Sequence, residues 1–268
     1  MSELQISYKQ TSLLVDTTND HYGEAFWISL EAHQWEPDTI NFLEREIEPG
    51  TILFDIGAAN GSITLIAAAL GAQVISYEPN PTVFVVCERN IALNASLGFQ
   101  IFLQRAAVSN IPSEIKFVEG ANSKIISEIS IGSHSDLETV IPVLSLKDEL
   151  SRFAKKQKKI LIKMDIEGAE FAILHDRATL EALKSNGVKL LLAVHPGFYR
   201  PISQVRILKR LRTKIFILRN FFEAMKLFNE LASFSHISRT NLNPITSKKI
   251  FALLITAGYH EFILDFNN

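Results

Sequence analysis

Two acidic residues and two glycines lie at the ends of apolar runs in the first third of the chain. In the segment FDIGAANGSITL, Asp55 closes an apolar run, and Gly57 and Gly61 follow it. Glu78 closes the next apolar run, about 20 residues further on. Glycine adopts backbone angles closed to other residues and admits a close neighbour, so the pattern predicts a tight turn beside a ligand. A turn that needs glycine only for its own geometry is the alternative.

The chemistry of this group favours a nucleoside over a pyrophosphate. Position 59 is Ala and position 62 is Ser, so the glycines do not complete the motif G-x-G-x-x-G. Glu78 has the spacing of a carboxylate that accepts hydrogen bonds from both hydroxyls of a ribose. Asp55 would repel a pyrophosphate and suits an ammonium group or an ordered water. The residues therefore predict a nucleoside that carries an amino-acid tail, S-adenosylmethionine.

A second polar group follows two later apolar runs. Asp165 ends the run ILIKMD, Glu167 comes two residues later, and His195 ends the run KLLLAVH. Methyl transfer to an aliphatic hydroxyl needs a base, and carboxylate and imidazole groups can take that proton. We therefore predict Asp165, His195 and Glu167 as catalytic residues. Glutamates also favour the first turn of a helix for electrostatic reasons alone, and a histidine can merely cap a strand. A divalent metal on all three is a further alternative, but their spacing fits no specific metal motif.

The elements that must position these residues follow from the alternation of apolar runs and helical segments. Short apolar runs such as TILFDI, AQVISYE and ILIKMD are typical of strands buried on both faces of a parallel sheet. Helices are predicted between them, including one from Gly168 to about Asn186. The runs KKIFALLITAG and HEFILDF are predicted to form a terminal hairpin. The pattern predicts a doubly wound α/β fold whose strands end at one shared edge.

Longer motifs around these residues resemble the FkbM family of S-adenosylmethionine-dependent methyltransferases, over about residues 49–195. The motifs are Asp-x-Gly-Ala-x-x-Gly, Tyr-Glu-Pro-Asn-Pro, Asn-Ile-x-Leu-Asn and Lys-x-Asp-x-Glu-Gly-Ala-Glu. The resemblance implies a Rossmann-like methyltransferase fold with a mostly parallel seven-stranded sheet, an antiparallel edge strand and helices on both faces. One departure concerns Asn60, which here directly precedes Gly61, whereas the family usually has Gly-Ala-Asn-x-Gly. The individual role of Asn60 is therefore open.

The resemblance and the motifs together define the predicted cofactor site and the predicted domains. The cofactor-binding residues are Asp55, Gly57, Ala58, Asn60, Gly61, Glu78, Pro79, Asn80, Asn94 and Asp165. Residues 1–38 are predicted to form an N-terminal extension, and residues 39–268 a methyltransferase domain. Within that domain we expect an insert at 111–142 and a long helical segment at 203–234. No metal site is predicted.

Composition and sequence patterns limit where the protein is expected to work and what it is expected to bind. The chain has 268 residues, a net charge of −2 and a single cysteine, Cys87, so an intramolecular disulfide is excluded. The first residues lack the pattern of a secretory signal, and no apolar run reaches membrane-spanning length, so we expect a cytoplasmic protein. Residues 200–219 carry a basic amphipathic pattern that could contact an anionic surface, although a solvated face is the alternative. DNA is not an expected partner.

The function expected from the sequence is O-methylation of a hydroxyl on a sugar, a glycan or a secondary metabolite. The alternatives are an amine, RNA or protein acceptor, or a non-catalytic partner subunit with the same fold. The sequence predicts neither the acceptor nor the oligomeric state.

Overall fold

The computed structural model describes residues 2–18, 22–118, 138–153, 158–166, 170–194, 221–256 and 261–267. The strands within these ranges are β1 (Glu3–Tyr8), β2 (Thr11–Asp16), β3 (Ile52–Ile56), β4 (Gln73–Tyr77), β5 (Ile101–Gln104), β6 (Ala107–Ser109), β7 (Ser113–Val118), β8 (Glu138–Ser145), β9 (Ile160–Met164), β10 (Lys189–Ala193), β11 (His236–Ser238) and β12 (Glu261–Asp265). The helices are α1 (Glu24–Glu31), α2 (Pro37–Glu46), α3 (Ser62–Ala69), α4 (Pro81–Leu93), α5 (Leu146–Phe153), α6 (Glu170–Leu174), α7 (Arg177–Ser185), α8 (221–231) and α9 (Lys248–Thr256).

Seven strands form the central sheet in the order β11-β12-β10-β9-β3-β4-β5. The five strands from β10 to β5 are parallel, and β12 runs antiparallel to both of its neighbours. The predicted mostly parallel seven-stranded sheet is confirmed. The antiparallel strand lies one position in from the edge, because the short strand β11, which the sequence analysis missed, pairs with its outer side. Strand order reverses between β3 and β9, which is where open α/β sheets bind ligands.

Each face of the sheet is covered by helices, as predicted. One face buries Phe54, Tyr77, Ile162 and Leu192 against helices α5 to α9. The opposite face buries Leu53, Val74 and Leu161 against α1, α2, α3 and the β1-β2 hairpin. Side chains alternate between the two faces along each strand. Asp55 therefore lies on the face of Leu53, and Lys163 on the face of Leu161.

The prediction of a terminal hairpin is wrong, because Lys248–Thr256 is helix α9. Phe251, Ala252 and Ile255 are its buried residues, and their spacing of one and four positions is helical. A nearly continuous apolar run carries no clear period, so strand and buried helix look alike in sequence. β12 pairs instead with β10, where Lys189 lies opposite Asp265, and with β11.

The helix predicted from Gly168 to Asn186 is divided into α6 and α7. Asp176 lies between them with an extended backbone, and its side chain accepts a hydrogen bond from the backbone N–H of Thr179 at 2.9 Å. This is the geometry of an N-cap, which starts a new helix. The division therefore follows from a capping residue inside an otherwise helical pattern.

The N-terminal residues pack against the same layer as helices α3 and α4. Trp27 of α1 is fully buried, in one apolar cluster with Leu65 of α3. Asn90 of α4 and Asn94, which directly follows α4, hydrogen-bond to the backbone of β2. The β1-β2 hairpin is thus anchored to α4.

The predicted insert begins and ends with paired strands. β7 and β8 form an antiparallel ladder that includes the runs EIKFV and TVIPV, and β6 adds a third strand. The centre of the insert, with the run KIISEIS, lies outside the described residues. The part of the segment 203–234 that the structure describes is helical from 221 to 231. Within the described ranges, no helix has both the length and the apolar character needed to cross a membrane.

Candidate functional site

A row of three polar side chains crosses the centre of the sheet at the strand reversal. Asp55 of β3 pairs in register with Lys163 of β9 on one side and with Ser76 of β4 on the other. All three side chains are buried. Thr64 of α3 closes the row from above, since its hydroxyl is 2.6 Å from Asp55 Oδ2 and 2.8 Å from the Ser76 hydroxyl. A polar row of this kind needs internal partners because water cannot reach it.

Asp55 is the acid of this row, and it has no exposed surface. Its Oδ2 accepts the Thr64 hydrogen bond, whereas its buried Oδ1 has no hydrogen-bond partner among the described residues. Burial raises the pKa of Asp55, and the Lys163 ammonium and the Thr64 hydrogen bond oppose this rise. Oδ1 lies 4.0 Å from Lys163 Nζ and can accept a further hydrogen bond.

The turn after β3 is the glycine turn that the sequence predicted. Gly57 and Gly61 have φ angles of 87° and 84°, so both lie in the left-handed region that favours glycine. A Cβ atom on Gly57 would overlap the backbone oxygen of Asp165, and one on Gly61 would lie 3.0 Å from Cys87 Sγ. Both glycines thus make room for protein atoms. The role of Gly57 and Gly61 in admitting a ligand stays a prediction.

Glu78, at the end of β4, holds this turn from the neighbouring strand. Its two oxygens accept hydrogen bonds from the backbone N–H groups of Ala59, at 2.9 Å, and Asn80, at 2.8 Å. Burial raises the pKa of Glu78 to about 7, against these two hydrogen bonds, which lower it. A carboxylate has about four acceptor positions, so Glu78 can still accept from two hydroxyls.

The remaining predicted residues of the turn have defined positions. Ala58 is buried, and its N–H donates to the Tyr77 carbonyl at 3.0 Å. Asn60 is buried as well; its oxygen accepts from the Ser62 N–H at 3.2 Å. Asn60 Nδ2 has no hydrogen-bond partner in the described part of the chain. Pro79 is half-buried, and Asn80 caps helix α4 through the N–H groups of Thr82 and Val83.

Lys163 is the principal residue of the site that the sequence analysis missed. Its Nζ lies 3.2 Å from the Gly57 carbonyl oxygen, 3.8 Å from Asp165 Oδ2 and 4.0 Å from Asp55 Oδ1. Burial would lower the pKa of Lys163, but the carboxylates of Asp165 and Asp55 outweigh it and raise the pKa above its usual value. The available signal was a lysine in a strand that is otherwise wholly apolar, since buried lysines are almost always paired.

Asp165 lies beside two further acids that the sequence analysis also missed. Glu36, which precedes α2, and Glu261, which begins β12, line a cavity of about 10 Å³ together with Lys163 and Asp165, and a space of that size accommodates one water. Burial raises the pKa of Glu261 to about 7, with a further contribution from Glu36. Among the described residues, no three such side chains are arranged to hold a metal ion.

The structure does not bring every predicted residue to this edge. Asn94 lies at the far end of α4, where its side chain bonds to the N–H and the carbonyl of Leu14 at 2.9 and 2.7 Å. A helix of this length places Asn94 about 20 Å from the end that carries Asn80. Glu167, His195 and the basic segment 200–219 lie outside the described residues, so their roles stay predictions.

The described residues fit the predicted cofactor on one specific point. Among the described residues, two buried side-chain atoms lack a hydrogen-bond partner: the acceptor Asp55 Oδ1, which lies 4.0 Å from Lys163 Nζ, and the donor Asn60 Nδ2. Buried polar groups in proteins are nearly always paired, so both are expected to meet a ligand or a water. A ligand with an ammonium group and a carboxylate, as on an amino-acid tail, offers a partner to each. Asp55, Asn60 and Glu78 could therefore hold S-adenosylmethionine.

Several solved methyltransferase structures are similar to this chain at low sequence identity. The methyltransferase FkbM from Methylobacillus flagellatus KT is 14% identical, and the alignment covers 92% of this chain and 55% of that one, with a TM-score of 0.44. The ribosomal protein L11 methylase from Lactobacillus delbrueckii subsp. bulgaricus is 14% identical, with 87% and 77% covered and a TM-score of 0.41.

Sequence comparisons agree on the type of domain. Ribosomal protein L11 methyltransferase from Bacillus cereus (strain Q1) is 26% identical over 135 residues, which are 50% of this chain and 42% of that protein. The chain thus matches less than half the length of this relative. Residues 55–215, more than half of the chain, match the family model of the methyltransferase FkbM domain. This match includes the turn at Asp55 and the motif around Asp165, and the chain belongs to the FkbM methyltransferase domain family.

Proposed function

We propose that this chain transfers a methyl group from S-adenosylmethionine to a hydroxyl of a sugar, a glycan or a small metabolite. Family membership supports methyl transfer. The observation that carries the cofactor assignment is that two buried atoms at the strand reversal, Asp55 Oδ1 and Asn60 Nδ2, have no hydrogen-bond partner among the described residues. The bound cofactor would supply an electrophilic methyl group on a sulfonium.

The donor side of the site is assigned to the residues around the glycine turn. Asp55 accepts from the ammonium group of the cofactor, and Asn60 donates to its carboxylate. Glu78 accepts from the ribose hydroxyls while the N–H groups of Ala59 and Asn80 keep its carboxylate in place. Because these contacts fix the donor before the acceptor arrives, the cost of aligning the two reactants is reduced.

The acceptor side is assigned to the edge formed by Asp165, Glu36 and Glu261. Asp165 would take the proton of the acceptor hydroxyl as its oxygen attacks the methyl group that the cofactor would supply, with the cofactor sulfur as the leaving group. Carboxylates accept hydrogen bonds from the other hydroxyls of a sugar-like acceptor. Three acids around one cavity would repel the phosphates of a nucleic acid. His195 and Glu167 remain candidates to assist Asp165.

A second candidate acceptor is an amine of a protein. The relative from Bacillus cereus is named for methylation of a ribosomal protein, and the acids at this edge would attract an ammonium group. An amine must lose its proton before it can attack the methyl carbon, and Asp165 could take that proton as well. The match covers less than half of that relative. It therefore supports the presence of a methyltransferase domain more strongly than it supports a protein amine as the acceptor.

Calorimetric titration with S-adenosylmethionine tests the donor assignment directly. We expect micromolar affinity for the wild type, which corresponds to about 8 kcal/mol. Glu78→Ala and Asp55→Asn should each weaken binding by about tenfold or more, because each leaves a polar group of the ligand unpaired. Glu88→Gln, which changes an exposed glutamate on α4, should bind as the wild type does. No binding by the folded wild type would refute the cofactor assignment.

Methyl transfer from isotope-labelled cofactor then tests the acceptor class. Panels of sugars, hydroxylated metabolites, small amines and basic proteins are compared at equal enzyme concentration. Label in a base-stable ether supports the proposal, and label in an amine supports the second candidate. Cofactor binding without transfer to any panel would favour a non-catalytic subunit.

A further inference from the structure

We infer that Lys163 is a positioning residue that joins the donor side of the site to its acceptor side. Its ammonium group holds the backbone of the glycine turn and the carboxylates of Asp55 and Asp165 in one arrangement. This inference rests on the proposed function for its catalytic meaning, but its electrostatic part concerns the protein alone.

The contacts of Lys163 reach both halves of the site. The hydrogen bond to the Gly57 carbonyl oxygen, at 3.2 Å, fixes the turn that follows β3. The ion pairs with Asp55, at 4.0 Å, and Asp165, at 3.8 Å, join the donor carboxylate to the acceptor carboxylate. One hydrogen bond and two ion pairs thus connect the Lys163 ammonium group to both halves of the site.

The charges around Lys163 show why a cation is needed there. Asp55 from β3, Glu78 after β4, Glu36 before α2 and Asp165 after β9 all act on its ammonium. Glu261 from β12 faces it across the small cavity. Without the Lys163 charge, Asp55 would lose the cation that lowers its pKa, while the nearby Asp165 would still raise it. Buried carboxylates in that situation take up protons, and a protonated Asp55 can no longer pair with a cation.

The strand itself gives no structural reason for a lysine at this position. The other residues of β9 are Ile, Leu, Ile and Met, all buried. An apolar residue at 163 would continue the face of Leu161, so packing alone would favour one. Lys159, just before the start of the same strand, also pairs with an acid, Glu46 at 3.3 Å, but at the opposite end of the strand. It therefore provides a matched control.

The first experiment compares Lys163→Met, Lys163→Arg and Lys159→Met in calorimetric titrations with S-adenosylmethionine from pH 6 to pH 9. We expect Lys163→Met to bind about tenfold or more weakly at pH 7 and to regain affinity as the pH rises, because a higher pH favours the ionised form of Asp55. Lys163→Arg keeps the charge and should follow the pH profile of the wild type. Lys159→Met should match the wild type throughout. An unchanged affinity and pH profile in Lys163→Met would overturn the inference.

The second experiment needs no cofactor and separates this inference from the proposed function. Unfolding of the free protein is followed between pH 5 and pH 8.5. In Lys163→Met, Asp55 should stay protonated in the folded state up to a higher pH than in the wild type. The stability of the variant should therefore rise more steeply than that of the wild type as the pH falls. Equal slopes in the two proteins would contradict the charge role of Lys163, whether or not the wild type binds the cofactor.

The double variant Asp55→Asn/Lys163→Met covers the case in which Lys163→Met does not fold. It removes both charges of the buried pair, so it should fold, and its stability should depend on pH less than that of the wild type. A folded double variant beside an unfolded Lys163→Met would support the pairing. If neither folded, Lys163 would be required for packing, and the inference would fail.

Discussion

Gly57 and Asp165 are in backbone contact, so closely that a Cβ atom on Gly57 would overlap the carbonyl oxygen of Asp165. The N–H of Asp165 in turn donates to the carbonyl of Ile56, at 3.0 Å. The glycine turn after β3 and the end of β9 are therefore joined directly through their backbones. The distance between the predicted donor-binding turn and the predicted base is set by backbone atoms.

This contact predicts a large cost for Gly57→Ala. The left-handed backbone angle costs about 1–2 kcal/mol for alanine, and the overlap adds to that, so we expect a loss of about 3 kcal/mol or more in the free energy of unfolding. Gly50 also has a positive φ, of 88°, but nothing lies within 4 Å of its added Cβ. Gly50→Ala should cost only about 1 kcal/mol. Equal losses in urea unfolding of the two variants would contradict the role of the contact.

Glu78 predicts that cofactor affinity depends on pH. Its pKa of about 7 means that the carboxyl group gains a proton as the pH falls through neutrality, and a protonated carboxyl group has fewer acceptor positions for the ribose. We expect affinity to fall between pH 8 and pH 6, by at most about tenfold per pH unit. Glu78→Gln should bind more weakly at pH 8 and show a shallower dependence in calorimetry. A pH-independent wild type would be incompatible with this role.

Glu261 predicts a pH-dependent contribution to stability. Its pKa is about 7 in the folded protein and 4.5 ordinarily, so between these values the folded state keeps a proton that the unfolded chain releases. Stability therefore falls as the pH rises from 4.5 to 7 and the loss is complete above 7. Glu261→Gln should be more stable than the wild type at pH 8 by about 1 kcal/mol, after allowance for solvent screening, and equal to it at pH 4.5. Thermal unfolding at both pH values measures the difference; a constant difference would argue against this titration.

We expect the hydroxyl and the methyl group of Thr64 to make different contributions to cofactor binding. Thr64→Val keeps the shape but removes the donor to Asp55 Oδ2, so we expect a loss of about 1–3 kcal/mol in stability and about tenfold weaker cofactor binding. Thr64→Ser keeps the hydroxyl and loses one buried methyl group, about 0.8 kcal/mol, and should bind almost normally. Similar affinities for the two variants would show that the hydroxyl does not act through Asp55.

Asn90 of helix α4 and Asn94, which directly follows it, both bond to the backbone of β2, but we expect their alanine variants to affect cofactor binding differently. Asn90 accepts from the Asp16 N–H and donates to the Asn60 carbonyl, both at 2.8 Å, whereas Asn94 bonds to Leu14. Both alanine variants should lose about 1–3 kcal/mol in stability, because buried backbone groups are left unpaired. Only Asn90→Ala should weaken cofactor binding, since it loosens Asn60. Weaker binding in Asn94→Ala would instead support the predicted cofactor role of that residue.

The parts of the site that lie at strand ends could be predicted from the sequence. Asp55 and Glu78 each end a short apolar run, and parallel strands bring such ends to one edge. Thr64 and Ser76 were not predicted, because small polar residues in buried elements have no distinctive pattern. Lys163 belongs to the motif Lys-x-Asp-x-Glu-Gly-Ala-Glu, but its role depends on the register between β3 and β9, which a single sequence does not reveal.

Contacts between distant parts of the chain account for the other differences. Glu36 and Glu261 lie outside the matched segment 55–215 and meet Asp165 only in the folded protein. Strand β11 has three residues, of which only Ile237 is buried, so its apolar signal is too short to detect. The sequence of helix α9 predicts a strand because its nearly continuous apolar run fits both the helical period and the strand period of apolar residues.

The pairing of β3 with β9 also determines the order in which the protein can fold. Ile52 pairs with Ile160, so the two central strands are separated by about 100 residues of chain, and such non-local pairs form slowly. During synthesis β3, β4 and β5 can associate early, but β3 keeps an unpaired edge until β9 has left the ribosome. Lys163 arrives with β9. A nascent chain that ends before β9 would therefore hold Asp55 without its cation, and its free strand edge would be its main risk of aggregation.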